Sequence, residues 1–333
     1  MISMKKITAI IVSAALAVSL SACGSNSKAA VNSSAASGNT ETIKVAMQYG
    51  LSYAPYAIMQ AKGLIEKNYD GDVKVEWSTL NSGSAINEAF ASGKLDVGAM
   101  GLGPAITGIT SGVGYKIYDN ISSMPNKLYT NKENINSLKD ITSSDQIAIV
   151  NIGSFQHILL AMACDKEFGD AHALDNNLAA MAHPDGMSSL LSGSVALHLT
   201  SAPYTFQEDD DESLHEVYNF NEVWPEGNSF IVGLASEKLH DEKPELYNAV
   251  VKATEEAMEF IKENPDEAAE ILAEVNDKDT DTVKDWLGRD GVNFSVKTGG
   301  VVEFASFMEK NNFLTNEASK DYSAYVFDNV QGD

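Results

Sequence analysis

The sequence predicts an α/β protein built from two similar lobes, and three observations support this prediction. Its 333 residues are 44% hydrophobic and 21% charged, which suits a folded chain larger than one minimal domain. Short β-rich runs alternate with helical segments, and this alternation implies helical crossovers between mostly parallel strands. The same order of elements then returns further along the chain.

The N-terminus is predicted to be a targeting segment. Residues 1–22 have the features of a signal peptide, with Lys5 and Lys6 ahead of the apolar run 7–20. The following Leu-Ser-Ala-Cys resembles the bacterial lipobox, which implies cleavage before Cys23 and a lipid on its sulfur. Ordinary signal cleavage with an incidental cysteine is the alternative, and the run is shorter than the ~20 apolar residues of a spanning helix. Residues 23–41 are rich in Ser, Ala, Asn and Gly and are predicted to form a flexible tether.

The first lobe is predicted from a run of three strands with helices between them. The predicted strands cover residues 42–47, 73–77 and 95–100. The predicted helices run from Pro55 to Gly63 and over residues 85–91. Each strand ends in a loop that contains glycine or proline.

The second lobe repeats this order. Its predicted strands cover 146–150, 177–182 and 195–199, with a helix over 155–168 and a short helix ending at residue 191. Residues 183–186 (HPDG) are predicted to be a loop. Residues 91–97 (ASGKLDV) and 191–197 (LSGSVAL) are similar to each other, which supports two related lobes.

Residues 104–145 and 205–232 are predicted to join the lobes, so that the chain crosses between them twice and forms a hinge. Ser229 and Phe230 fit either hinge or pocket, and the hinge is favoured. Helical segments follow from residue 237 and are expected to pack outside the first lobe. The predicted boundaries are 42–127 plus 224–333 for lobe one, and 128–223 for lobe two.

The strand-end loops are the expected binding site. In open parallel sheets, ligands bind beyond the carboxyl ends of the strands, next to helix N-termini with free N–H groups. Uncharged hydroxyl, amide, aromatic and methionine side chains predominate in these loops, and Ser84 and Ser154 are predicted N-caps.

Several segments together resemble one protein family. The signal peptide with its lipobox, residues 50–66 (GLSYAPYAIMQAKGLIE), residues 83–98 (GSAINEAFASGKLDVG) and the second-lobe repeat are similar to solute-binding proteins of ABC importers. The group comprises the nitrate, sulfonate and taurine receptors and the related thiamine-pyrimidine (NMT1-like) proteins. The resemblance implies a type II periplasmic-binding-protein fold whose two lobes close on a small solute and deliver it to a membrane permease. A monomer on the extracytoplasmic face of a bacterial cell membrane is expected.

The resemblance also implies ligand contacts after the first and third strands, at the Gly83–Ser84 helix start and at the start of the second lobe's first helix. Core packing is the alternative for the aromatic and methionine candidates, and an ordinary surface or hydrogen-bonded histidine is the alternative for His157. The candidate ligand-binding residues are Tyr49, Ser52, Tyr53, Gly83, Ser84, Met100, Gly101, Gly153, Ser154, Phe155, His157, Ser201 and Tyr204.

Charge narrows the choice of partner. The formal net charge is -24 and Arg289 is the one arginine, so nucleic acid and anionic lipid surfaces are not expected partners. Sulfonate-binding members of the family often have a basic residue in the cleft, whereas the loops above contain no Lys or Arg. A neutral, cationic or heterocyclic solute is therefore favoured over a strong anion.

Catalytic, cofactor and metal sites are not predicted. The sequence contains no G-x-S-x-G nucleophile motif, phosphate-binding loop or dinucleotide fingerprint. Its histidines are scattered, the acidic run 208–212 is predicted to be a solvated loop, and Cys164 a buried hydrophobe. A thiamine-pyrimidine-type synthase or other enzyme on the same fold remains an alternative, as does a surface structural lipoprotein, although a lipid anchor disfavours the synthase.

Overall fold

The computed structural model describes residues 40–333. The predicted signal peptide, Cys23 and most of the predicted tether lie outside the described residues. Within residues 40–333, none of the helices combines the length and apolar character needed to cross a membrane.

The first sheet has five strands, and the three at one side of it run parallel to one another. Its spatial order is β2-β1-β3-β10-β4, with β10 antiparallel to both of its neighbours. The strands are β1 (Glu41–Met47), β2 (Val73–Thr79), β3 (Val97–Gly101), β4 (Tyr115–Ser122) and β10 (Ile231–Ser236). Val326 forms a further parallel bridge to Ile117 in β4, so the C-terminal segment lies along the edge of this sheet.

The second sheet repeats this plan with the order β7-β6-β8-β5-β9. Its strands are β5 (Asn126–Thr130), β6 (Ile147–Ile149), β7 (Leu178–Ala180), β8 (Leu197–Ser201) and β9 (His215–Asn219). β6 is parallel to β7 and β8, and β5 is antiparallel to β8. One strand in each sheet runs antiparallel beside the parallel strands, β10 in the first sheet and β5 in the second. Each of these strands follows a crossing of the chain from the other sheet.

We refer to each sheet and the helices packed on it as the first and second lobe. The chain crosses between the lobes at residues 123–125 and again at 220–230. The helices are α1 (Ala54–Lys62), α2 (Leu64–Asn68), α3 (Gly83–Ala91), α4 (Leu102–Thr110), α5 (Phe155–Phe168), α6 (His183–Leu191), α7 (Tyr204–Asp209), α8 (Glu237–Glu242), α9 (Pro244–Glu263), α10 (Pro265–Asn276), α11 (Thr280–Leu287) and α12 (Val301–Lys310).

Local sequence explains where these helices begin and end. Ser154 caps α5 and Asp279 caps α11, each through a side-chain oxygen that accepts a backbone N–H. Proline begins α9 and α10, where its missing N–H has no helical partner to lose. Gly63 ends α1 in the left-handed conformation that glycine adopts without strain.

The C-terminal helices cover the first lobe. Leu246, Val250, Ala253 and Ala257 lie on one face of α9 and are almost fully buried. This face packs on α1 and α2, and α10 packs on α1 and α11. Removing this apolar face from water is the main driving force for the attachment of these helices.

Three expectations about local structure were wrong. Residues 183–186 begin α6 instead of forming a loop, because Pro184 fits the first turn of a helix. Ser82 caps α3 in place of Ser84, and its Oγ accepts the N–H of Ala85 at 3.3 Å. The acidic run does not form a wholly solvated loop, because Glu208 lies in α7 and is only 1% exposed.

Candidate functional site

The loops at the carboxyl ends of the parallel strands in the two sheets face each other across a narrow cleft. In the first lobe, Gln48 and Tyr49 follow β1 and Gly101 ends β3. In the second lobe, Asn151 follows β6 and Ser201 ends β8. The cavity volume is about 50 Å³, which holds a few water molecules. Open α/β sheets bind ligands at this position.

The walls of the cleft carry no Lys, Arg, Asp or Glu side chain. Their polar groups are the amides of Gln48, Asn81, Asn151 and Gln156, several hydroxyls, and the imidazole of His183. An ion placed here has no opposite charge on the walls, and burying an unpaired ion is costly. The cleft is therefore suited to hydrogen bonding with an uncharged group.

Four of the helices, α3, α4, α5 and α6, begin at the cleft. In α5 the Oγ of Ser154 accepts the N–H of His157 at 3.2 Å, and Ser82 provides the corresponding cap for α3. Helix α6 begins at His183 without a side-chain cap. The first-turn N–H groups of a helix lack intrahelical partners and carry partial positive charge. These helix starts add hydrogen-bond donors to an otherwise neutral site.

Phe155, the first residue of α5, joins the two lobes. Its ring stacks on Phe304 of the first lobe, with centroids 5.2 Å apart and planes 4° apart. Phe230 lies 4.8 Å away and Trp224 meets the ring edge-on at 6.3 Å. Phe155 is only 1% exposed, so this cluster forms a substantial apolar contact between the lobes.

Glycine at position 101 allows this close approach. A Cβ atom on Gly101 would lie 2.9 Å from the Cβ of Phe155, closer than two carbon atoms pack. At Gly103, the nearest atoms to such a Cβ are the oxygen of Gly153 and the nitrogen of Phe155, both at 3.4 Å, an ordinary contact. Gly101 thus has a steric role in the interface in addition to its place on the cleft wall.

The turn after β1 presents two hydroxyl residues. Residues Leu51–Tyr53 form a single 3₁₀ turn. The hydroxyl of Ser52 donates to the Sδ of Met124 in the first crossing segment at 3.2 Å. Tyr53 lines the cleft and is 7% exposed, and burial raises the pKa of its hydroxyl above the usual tyrosine value. The Tyr53 hydroxyl is therefore protonated at neutral pH.

His183 is held from behind by a buried pair of side chains. Its Nδ1 lies 3.2 Å from the Nε2 of His198. The Nδ1 of His198 in turn lies 2.6 Å from the Oε1 of Glu208, and both of these side chains are at most 1% exposed. The ring of His183 is half-buried and lines the cleft.

Most of the candidate residues lie on the cleft wall. Those that do are Tyr49, Ser52, Tyr53, Gly83, Gly101, Ser154, Phe155 and Ser201. They come from both lobes, and the strand-end loops bring them together.

The other candidates lie elsewhere. Met100 is fully buried in β3, and Ser84 is exposed beside Ser82. His157 is buried behind the cleft, where its Nδ1 accepts the N–H of Gly153 and its Nε2 donates to Asp175. Burial lowers the pKa of His157, with Asp175 acting in the opposite direction.

Gly153 makes that backbone contact with His157 and is not part of the cleft wall. Tyr204 lines a neighbouring cavity that it shares with Tyr49 and Tyr53. The ring of Tyr204 lies 5.6 Å from that of His183.

Sequence reasoning missed other cleft residues. Gln48, Asn81, Asn151 and Gln156 lie in or next to the predicted loops but were not chosen as candidates. Phe230, assigned to the hinge, lines the cleft. His183 was not chosen, although residues 183–186 were read as a strand-end loop. A proline followed by an acid directly after a strand also indicates the first turn of a helix, which would have marked His183 as a helix start.

Metal ligation has no obvious location in the described part of the chain. Among residues 40–333, no group of three or more His, Cys, Asp or Glu side chains is arranged to hold a metal ion. Cys164 is 1% exposed, and burial raises the pKa of its thiol to about 12.

The sequence is similar to one protein family and to a bacterial binding protein. Residues 36–276 match the model of the NMT1-like family. A Bacillus subtilis (strain 168) protein named for binding aliphatic sulfonates is 26% identical over 287 residues, which cover 84% of this chain and 81% of that protein.

Two solved structures are similar in fold. The alkanesulfonate-binding protein SsuA from Xanthomonas axonopodis pv. citri, bound to MOPS, has a TM-score of 0.72 at 16% identity, covering 87% of this chain and 99% of that one. The periplasmic aliphatic sulphonate-binding protein SsuA from Escherichia coli has a TM-score of 0.68 at 16% identity, covering 88% and 94%. The predicted periplasmic-binding-protein fold is confirmed.

Proposed function

Because the chain belongs to the NMT1-like family, we propose that it is the solute-binding receptor of an ABC importer, which captures a small organic solute between its lobes. The observation that carries this proposal is the cleft, where strand-end loops and helix starts from both lobes converge on one small cavity. The relatives named above are binding proteins, and we propose that this protein likewise binds without turnover.

The proposed mechanism is closure of the two lobes about a hinge. Lobe one would comprise residues 42–125 plus 224–333, and lobe two residues 126–223, which moves the predicted boundary by two residues so that β5 stays in one lobe. Two short crossings support this assignment, since few residues connect the sheets. A solute that touches both lobes binds the closed form more tightly than the open form, and closure is favoured by that difference.

The proposed location is the extracytoplasmic face of a bacterial cell membrane. The signal peptide over residues 1–22 would direct export, and a lipid on Cys23 would anchor a monomer beside its permease. The Ser- and Gly-rich residues 23–41 would leave the lobes free to reach that partner.

The proposed solute is neutral, cationic or heterocyclic. Relatives are named for sulfonates, but the cleft wall here has no Lys or Arg to pair with a sulfonate. Tyr53 provides aromatic surface for a planar group, while the amides and helix starts provide hydrogen bonds.

A thermal-shift screen of protein carrying Cys23→Ser tests the proposal, with taurine, MOPS, nitrate, nicotinamide, cytosine and aromatic amines as probes. A compound that binds only the folded state raises its melting temperature. We expect a neutral heterocycle to raise it and simple sulfonates to have little effect.

A matched pair of glutamines provides the control. Gln156 lines the cleft, whereas Gln207 lies in α7 away from it. Gln156→Ala should reduce the ligand-induced shift and Gln207→Ala should preserve it. If no compound stabilises the protein, or both variants respond alike, the proposed function is wrong.

A further inference from the structure

Two buried side chains of the second lobe, His198 and Glu208, form a row of polar contacts with His183. Glu208 of α7 contacts His198 of β8, and His198 contacts His183 at the start of α6, with atoms separated by 2.6 and 3.2 Å. Gly186 leaves space for the His198 ring, because a Cβ atom at position 186 would lie 2.6 Å from the Nε2 of His198. Glycine is less favourable than alanine inside a helix, and here it allows the imidazole of His198 to reach His183.

The burial of the pair indicates that it holds one proton at neutral pH. The Oε2 of Glu208 is buried without a hydrogen-bond partner, which would leave half of an ionised carboxylate unsolvated. Burial, followed by the charge of Asp209, raises the pKa of Glu208 to about 9. Burial lowers the pKa of both His183 and His198 to about 3, so a second proton does not bind.

The proton count fixes the tautomer of His183. If Glu208 is protonated, it donates to the Nδ1 of His198, whose own proton is then on Nε2. If the proton moves to His198, both of its ring nitrogens carry hydrogen. In either case the Nε2–H of His198 donates to the Nδ1 of His183, and the hydrogen of neutral His183 must be on Nε2.

We propose that His183 is the hydrogen-bond donor by which the cleft recognises an uncharged acceptor of the solute, a carbonyl oxygen or heteroaromatic nitrogen, and that His198 and Glu208 are its positioning residues. This inference rests on the proposed function and narrows its solute class. The donor is the ring Nε2–H, since the Nδ1 is occupied by His198 and the ring lines the cleft. Loss of the shared proton reverses both tautomers and turns Nε2 into an acceptor.

The ionisable groups near His183, His198 and Glu208 pair with one another and do not interrupt the contacts among these three residues. The Lys127 ammonium binds Asp209 at 3.0 Å and also Glu216, and Tyr129 donates to Asp209 at 2.6 Å. These contacts satisfy the carboxylate of Asp209, the residue next to Glu208. The groups that face the row are Asp185 on α6, Tyr204 and Asp209 on α7, Lys127 and Tyr129 on β5 and Glu216 on β9.

The tautomer is measured without any ligand, by long-range ¹H–¹⁵N correlation spectra of protein labelled with ¹⁵N-histidine between pH 6 and 10. We expect His183 to carry its hydrogen on Nε2 at pH 7 and on Nδ1 at pH 10. Glu208→Gln removes the titrating proton, so the tautomer in that variant should not change with pH. An Nδ1–H form of His183 in the wild type at pH 7 would overturn the inference.

Binding of nicotinamide and cytosine, with taurine and MOPS as sulfonate-bearing probes, tests recognition by calorimetry. His183→Phe keeps a planar ring without the donor and should weaken binding of the neutral probe at least tenfold. His240→Phe, in the first lobe, is the matched control and should leave affinity unchanged. In the wild type, affinity should fall as the pH rises past about 9.

Gly186→Ala provides a second route, because it displaces His198 while keeping His183, and it should also weaken binding of the neutral probe. Unchanged affinity in both His183→Phe and Gly186→Ala would overturn the inference and leave the proposed function standing. Tighter binding of taurine or MOPS than of the neutral probes would also contradict it. If no probe binds the wild type, the proposed function fails and the inference fails with it.

Discussion

Gly101→Ala should hinder closure of the lobes without unfolding the protein. The added Cβ would lie 2.9 Å from the Cβ of Phe155, on the opposite lobe. Two carbon atoms pack at about 3.5–4.0 Å, so the lobes must separate there by roughly 0.6–1 Å. The backbone of Gly101 has φ −59° and ψ 149°, which alanine adopts readily, so the open form carries no strain.

The cost therefore falls on the closed form alone. Overpacking a tight contact by one methyl group costs about 1–3 kcal/mol, which corresponds to a loss of solute affinity of roughly 5- to 150-fold. Gly103→Ala is the matched control, because its nearest contacts would lie at 3.4 Å and it should bind as the wild type does.

Calorimetry with the solute selected by thermal shift measures the affinity. Pulsed electron resonance between labels at Ser92→Cys and Ser192→Cys, which are exposed and lie on different lobes, measures lobe separation. Gly101→Ala should show a longer separation in the presence of solute. If it binds with wild-type affinity and reaches the wild-type separation, the contact between Gly101 and Phe155 does not govern closure.

Three further expectations concern stability and reactivity. Burial raises the pKa of Glu208 from 4.5 to about 9, so between these pH values the folded state holds a proton that the unfolded state lacks. The free energy of unfolding contributed by this group therefore falls by up to ~1.4 kcal/mol per pH unit as the pH rises. Denaturant titrations at pH 7 and 8.5 should show a smaller decline in Glu208→Gln; parallel declines would contradict the raised pKa. Ser82→Ala should lower the free energy of unfolding by ~1 kcal/mol, and Ser84→Ala by less, since Ser82 is the cap; equal losses would refute that assignment. In protein carrying Cys23→Ser, Cys164 should react with a thiol reagent only after unfolding, because its thiol is buried and its pKa is about 12; rapid reaction of native protein would disprove this.

Local sequence predicts the strand-loop-helix order of each lobe because hydrophobic period and capping are local properties. The cap of α5 by Ser154 and the proline start of α10 both follow from short patterns. The first lobe has a second serine two positions from Ser84, and the choice between them depends on helix geometry that the pattern does not encode.

The site was harder to predict because its most informative contacts join different elements of the fold. Glu208 stands in an acidic run typical of an exposed loop, and only its contact with His198 explains its burial. Phe155 was expected to be cleft or core, and it turns out to join the lobes through Phe304. The residue types in the predicted loops nevertheless indicated that the cleft carries little charge, and the wall has no Lys, Arg, Asp or Glu.

The most direct test of solute binding between the lobes is a crystal structure of the protein with the solute that raises its melting temperature most. We expect the solute to lie between Tyr53 of the first lobe and His183 of the second, with an uncharged acceptor atom within hydrogen-bond distance of the His183 Nε2. A solute bound outside the cleft, such as in the surface groove between α9 and α11, would contradict it.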